Sequence, residues 1–224
     1  MVVVNTTNHG GPVAHLVDAR AALAATNPSA RLRAALSAGT EGDPQMADAL
    51  VARCAVEPDF YVRDMLTWAL CRLPAAITVP RLLTELTSDT GQARSQALHT
   101  LSKIGDRSAW PAVTTLLHDE HDEAARSAWR ASVALVPDGE KAVLAADLTR
   151  ELGRGDVQRQ LSLSRALVAL GDAALPVLDA AAGSLDPRIH AHVEATLGLF
   201  RDPESGFTLS LDIAKRVAIT GPDT

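Results

Sequence analysis

Aromatic side chains are scarce in this chain: three Trp, three Phe and one Tyr in 224 residues. A core cannot rest on rings and must be made of Ala, Leu and Val, small side chains that suit closely stacked helices. Lysine is scarcer still, with only Lys103, Lys141 and Lys215 among 21 basic residues. Two cysteines, Cys54 and Cys71, provide no disulfide framework and no CxxC metal spacing. Both are expected to stay reduced, in the cytoplasm. No stretch approaches the ~18 uninterrupted apolar residues of a membrane-spanning helix. The opening MVVVNTTNHGGPV has no basic segment before a long apolar run, so it does not read as a signal peptide. Basic charge is also in deficit. The net charge is −6, which argues against a nucleic-acid partner and against polybasic attachment to a membrane.

What the chain does have is a period. A helix-capping residue recurs at Asn27, Asp59, Thr90, Asp122, Asp156 and Asp186, spaced by 32, 31, 32, 34 and 30 residues. Four places after each cap comes a polar residue: Arg31, Arg63, Arg94, Arg126, Gln160 and His190. Counted from that residue, offset +3 holds Leu66, Ala97, Trp129, Leu163 and Val193. Offset +7 holds Leu70, Leu101, Val133, Leu167 and Leu197, and offset +10 holds Leu73, Ile104, Val136, Leu170 and Phe200. These offsets form one apolar helical stripe, so helices are expected over 60–73, 92–104, 123–136, 157–170 and 187–200. The first repeat fits less well, and its helix is expected to stop at Gly39.

Shorter helices are expected between them, over 12–25, 44–56, 78–87, 109–118, 139–152 and 173–183. Pro80, Pro111 and Pro176 are assigned to first turns, where a missing N–H costs nothing. Gly105 and Gly171 are assigned to helix ends. A closing helix is expected over 207–218. A period near 30 along most of a chain denotes stacked helix pairs. The expected fold is all-α: a right-handed solenoid of about six helix pairs plus a C-terminal capping helix. Residues 12–218 form its single domain, with a flexible arm over 1–11 and a flexible tail over 219–224.

The pattern Asp-x-x-x-Arg-x-x-Ala/Leu-x-x-x-Leu-x-x-Ile-Gly resembles HEAT repeats, and is closest to the short repeats of phycobilisome lyases. Thr90–Asp106 and Asp122–Val136 carry it best, and it covers roughly residues 12–200. The resemblance implies that Arg63, Arg94 and Arg126 form a structural ladder near the seam between repeats, weakened at Gln160 and His190. It also implies that the helices beginning with these residues line a concave binding face.

Offsets +1, +5 and +9 lie away from the apolar stripe. They place Asp64, Trp68, Arg72, His99, Lys103 and Arg165 on the binding face, with Arg130 at its edge. Trp68 is the anomaly: an indole at a position expected to face the groove, beside Arg and His, the composition of a binding hot spot. Tyr61 is a candidate for the rim. Trp110 and Trp129 read as core. The run HDEHDE at 118–123 puts His118 and His121 among carboxylates, a weak candidate for a divalent metal. Asp122, however, is assigned to cap a helix, and solvated charge is the ordinary content of a turn.

No catalytic motif occurs and no cofactor is expected. The expectation is a non-enzymatic scaffold, monomer favoured, that binds a protein or peptide along its inner face. One alternative is a lyase-type enzyme or chaperone on the same repeats. A HEAT-like di-iron hydroxylase would need His-Glu pairs, and no His-Glu dipeptide occurs. The other alternative is a DNA-binding protein resembling the HEAT-like alkylpurine DNA glycosylases, disfavoured by the acidic balance and the sparse aromatics.

Overall fold

The structure is a computed structural model. It describes residues 12–202 and 211–212, with side chains from residue 16 onward. The expected N-terminal arm and C-terminal tail lie outside these residues, as does most of the expected closing helix. Only Leu211 and Asp212 of that helix are described; both are helical, and Leu211 is buried against Ala191, Ala195 and Leu199.

The described residues hold twelve α-helices and no strand. In chain order they are α1 (Pro12–Leu23), α2 (Pro28–Glu41), α3 (Ala47–Val56), α4 (Phe60–Arg72), α5 (Ala75–Glu85) and α6 (Gly91–Ile104). Then follow α7 (Trp110–Thr114), α8 (Asp122–Leu135), α9 (Lys141–Leu148), α10 (Val157–Ala169), α11 (Leu175–Ala182) and α12 (Pro187–Arg201). The chain divides into two compact units, residues 1–100 and 101–224. In the first unit α2 packs on α4, while α1, α3 and α5 form the row behind. In the second, α8, α10 and α12 pack in succession, with α7, α9 and α11 behind.

Local chemistry explains where the helices start. Asn27, Asp59, Asp156 and Asp186 have extended backbones, and their side chains accept N–H bonds from the first turn. The residue four places on then reaches back to the carbonyls of the loop it has just left. Arg31 Nη1 donates to Ala25 O and Thr26 O at 2.9 and 2.8 Å, and Arg63 Nη1 to Glu57 O and Pro58 O at 3.0 and 2.9 Å. Arg94 donates to Ser88 O at 2.7 Å, Gln160 to Gly155 O at 3.2 Å, and His190 Nδ1–H to Ala182 O at 3.0 Å. A loop wedged between helix pairs leaves carbonyls without helical partners, and these donors satisfy them. Arg126 makes no corresponding bond among the described residues.

The stripe at offset +3 is fully buried in all five helices, from Leu66 at 0% exposure to Ala97 at 2%. A second buried row stands at offset +6: Ala69, Thr100, Ser132, Ala166 and Thr196, none above 4% exposed. These are small residues, so the helix backbones can approach closely. Two of their hydroxyls bond along the seam, Thr100 with Thr67 at 3.3 Å and Thr196 with Ser164 at 2.7 Å, while the Ser132 hydroxyl is buried with no partner among the described residues.

Three expectations are corrected. The helix α2 does not stop at Gly39; it runs to Glu41 and ends on Gly42, whose φ of 67° supplies the left-handed cap. Gly39 is instead a contact point. A Cβ there would lie 2.3 Å from the Trp68 ring and 2.8 Å from the Ala69 Cα, so only glycine lets α2 and α4 meet this closely. Pro80 is not in a first turn. The helix α5 begins three residues earlier than expected, which puts Pro80 in its interior at the cost of one backbone hydrogen bond. Asp122 is not a cap: it is the first residue of α8, after His121, and its carboxylate pairs with Arg159.

Candidate functional site

The helix α4 exposes its ring-bearing residues. Phe60 and Tyr61 in its first turn are 66% and 74% exposed and meet edge to face at 5.7 Å. Trp68, two turns on, is 38% exposed. One edge of its ring lies on Gly39, and the Arg72 guanidinium sits 5.9 Å from its centroid. Arg63 lies 6.0 Å from the Phe60 ring. Asp64 and Arg72, one turn to either side of Trp68, are both exposed. Neither forms an ion pair among the described residues. From α2, Leu36 adds an apolar side chain 47% exposed, at the same repeat offset as Trp68.

Of the other residues read from sequence, His99 is half-buried on α6. Lys103, at the end of α6, Arg130 on α8 and Arg165 on α10 are exposed and belong to the second unit, where Arg130 bonds Ser127 Oγ at 3.0 Å. Leu36 and Phe60 were not recognised in the sequence. Both were legible as offsets, Leu36 at +5 in the atypical first repeat and Phe60 directly after the Asp59 cap.

Behind α4 lies a buried ion cluster that joins Arg31, at the recurring polar position, to Glu57, which no repeat offset marks. Glu57 is wholly buried. Its carboxylate accepts two bonds from Arg31, at 2.7 Å each, one from Arg53 at 2.7 Å, and the Asp59 N–H at 3.0 Å. Burial pushes the Glu57 carboxyl up, but the hydrogen bonds from Arg31, Asp59 and Arg53 win and hold it down at about 2. Gln92 from α6 donates to the Glu57 carbonyl at 2.8 Å, so the loop before α4 is tied to three successive inner helices. Cys54 is buried and its thiol is pushed up to about 12 by that burial, whereas Cys71 on α4 is exposed; neither is in a disulfide.

The second unit has its own polar clusters. His118 Nδ1 lies 2.6 Å from Glu151 Oε1, and its Nε2 lies 3.1 Å from Asp147 Oδ1. Glu151 also takes Arg159 at 2.8 Å and Arg154 at 3.2 Å. Burial pushes Glu151 up, and the bonds from His118 and Arg159 hold it below the usual carboxylate range. Arg159 in turn stacks 5.3 Å above the fully buried Trp129. His118 is thus engaged with two carboxylates of the following repeat, while His121 is exposed, with Glu120 and Asp119 carboxylates at 3.8 and 3.9 Å. Among the described residues no group of three His, Cys, Asp or Glu side chains is placed to hold a metal ion. His192 is wholly buried: its Nδ1 accepts the Gly153 N–H at 3.0 Å, and its Nε2 lies 3.0 Å from both Gln160 O and Ser164 Oγ. With Nδ1 accepting, Nε2 carries the proton, and the ring stitches α10 to α12.

The geometry is that of helix pairs joined by buried seams, with one helix face left bare. The family model described as HEAT repeats matches residues 56–134. That stretch, from the end of α3 into α8, consists of HEAT repeats. No curated relative matches the chain. Similar solved structures include two engineered proteins. One is 19% identical, with 84% of this chain and 96% of that chain covered and a TM-score of 0.43. The other is 17% identical, with 85% and 99% covered and a TM-score of 0.47. A third is the complex of CpcE and CpcF of phycocyanin lyase from Nostoc sp. PCC7120, 17% identical, with 97% of this chain and 99% of that chain covered and a TM-score of 0.36. No single helix among the described residues is long and apolar enough to cross a membrane.

Proposed function

We propose that this chain is a non-enzymatic HEAT-repeat scaffold of the cytoplasm that docks a protein or peptide partner on the exposed face of α4. The observation that carries the reading is the concentration of bare rings. Phe60, Tyr61 and Trp68 are three of only seven aromatic residues in the chain, and all three stand exposed on one helix. Exposed rings flanked by guanidinium groups are the composition of interface hot spots, because they gain large apolar contact area at small entropic cost. The proposal is confined to first-unit residues, with Asp64, Arg63 and Arg72 supplying charge around the rings and His99 and Leu36 at the edges.

Photocrosslinking tests it. A photoreactive residue placed at Asp64 should trap a discrete protein adduct in native extract, and the same group at Asp138, on an exposed turn of the second unit, should not. Trp68→Ala should weaken that partner by about 2 kcal/mol, roughly 30-fold. Equal labelling from both positions, or an adduct indifferent to Trp68, would remove the reading.

A further inference from the structure

We propose that the partner on this face is a second copy of the same chain, with α4 packed antiparallel on α4 about a two-fold axis beside Trp68. The inference rests on the reading of α4 as a docking face and names its occupant. The charges along α4 are ordered so that the helix complements its own reverse. Asp64, Trp68 and Arg72 follow one another at intervals of four residues, so they stand on one side of the helix, acid below the ring and base above it. Neither charge is spent within the chain: among the described residues Asp64 has no ion pair, and Arg72 lies only on the Trp68 ring.

A two-fold axis in the interface reverses the helix direction. With the axis beside Trp68, Asp64 comes to the height of the partner's Arg72, and Arg72 to the height of the partner's Asp64. The charge pattern is therefore its own complement, as an isologous interface requires. The parallel arrangement sets Asp64 against the partner's Asp64 and Arg72 against the partner's Arg72, so like charges exclude it. The two Trp68 rings meet at the centre, where hot-spot residues cluster. Leu36 from α2, brought close by the Gly39 contact, covers the flank of the rings. Phe60 and Tyr61 lie ~10–12 Å along the helix from Trp68 at 1.5 Å per residue. In the antiparallel pair they overhang the end of the partner's α4 and reach the partner's Pro74, an exposed residue in the turn before α5. Every exposed ring of the helix then finds a cover.

Sedimentation equilibrium on the full chain is the test, with charge reversal as the discriminating perturbation. The wild type should show a reversible monomer–dimer equilibrium. Asp64→Arg should weaken it at least about tenfold, because symmetry makes each reversal count twice, and Arg72→Asp should do the same. The combined variant D64R/R72D restores the complement in inverted order and should return to within about threefold of wild type. Both side chains are exposed, so at concentrations well below the dimer dissociation constant, where association adds no stability, the melting curves of all three variants should superimpose on that of the wild type. A chain monomeric up to about 300 μM overturns the proposal, as do single reversals without effect or a double reversal that fails to recover. The two readings fail separately. A monomeric chain that still yields the Asp64-position adduct with another protein overturns the self-pairing and keeps the docking face; a monomer with no adduct removes both.

Discussion

Replacing Glu57 with Gln tests the account of what holds the first unit together. The carboxylate is wholly buried, and Arg31, which grips it with two hydrogen bonds, is only 5% exposed. Gln keeps the shape and removes the charge, so the Arg31 guanidinium is left buried without a counter-ion. Breaking a buried pair from one side costs about 3–5 kcal/mol. The ionisation of Glu57 leads to a similar figure by a separate route. Its carboxyl is lowered from 4.5 to about 2, which at about 1.4 kcal/mol per pH unit amounts to at most about 3 kcal/mol. Because the folded value lies below the unfolded one, this stability is fully present above pH 4.5 and is lost as pH falls toward about 2. Urea unfolding should be followed between pH 2 and pH 7 by the fluorine resonance of Trp68 in fluorotryptophan-labelled protein, which separates the first unit from Trp110 and Trp129 of the second. At pH 7 the Glu57→Gln variant should be less stable by about 3 kcal/mol. Below pH 4.5 the wild type should lose stability faster than the variant, and the two curves should converge near the bottom of the range. A deficit under about 1 kcal/mol at pH 7, or parallel acid slopes in the two proteins, would show that the cluster is ornamental and that packing alone sustains the loop.

Further outcomes follow from the packing. Leu101→Ala and Leu167→Ala, at sites 1% and 0% exposed, should each cost about 2–5 kcal/mol in chemical unfolding; a loss under about 0.5 kcal/mol would mean that the stripe is not the core. Gly39→Ala raises helix propensity by about 1 kcal/mol, yet its Cβ would collide with the Trp68 ring and the Ala69 backbone. A net loss of about 1–3 kcal/mol and a displaced Trp68 resonance in fluorotryptophan-labelled protein are expected, and a stabilised variant with an unchanged resonance would refute the close approach. His192→Leu leaves the Gly153 N–H without an acceptor inside the second unit and should cost about 1–3 kcal/mol, with faster amide exchange at Gly153; unchanged exchange there would contradict the stitch.

Much of this molecule is a local matter, and local matters are legible in a sequence. The caps at Asn27, Asp59, Asp156 and Asp186, the helices after them and the buried row at offset +3 all follow from residues a few positions apart. The period near 30 made the architecture a stack of helix pairs. The exposed charges and indole of α4 were legible too, because a helix has a calculable back. Corrections arose where contact between elements outweighed local preference. Gly39 reads as a stop, but the close packing of α2 on α4 makes it a point of approach, and the chain continues to Gly42. Pro80 reads as a start, yet α5 begins earlier and accepts the lost hydrogen bond. The Glu57 cluster and the His192 stitch join residues 26 to 39 positions apart, and although Arg31 stands at the recurring polar position, nothing in the repeat pattern marks Glu57 or His192. The sequence by itself determined the repeat, its period and the chemistry available to each face. Only the tertiary structure decided which polar groups are buried against one another and which rings stay bare, because burial is a property of the neighbours that the fold brings together and not of the residue.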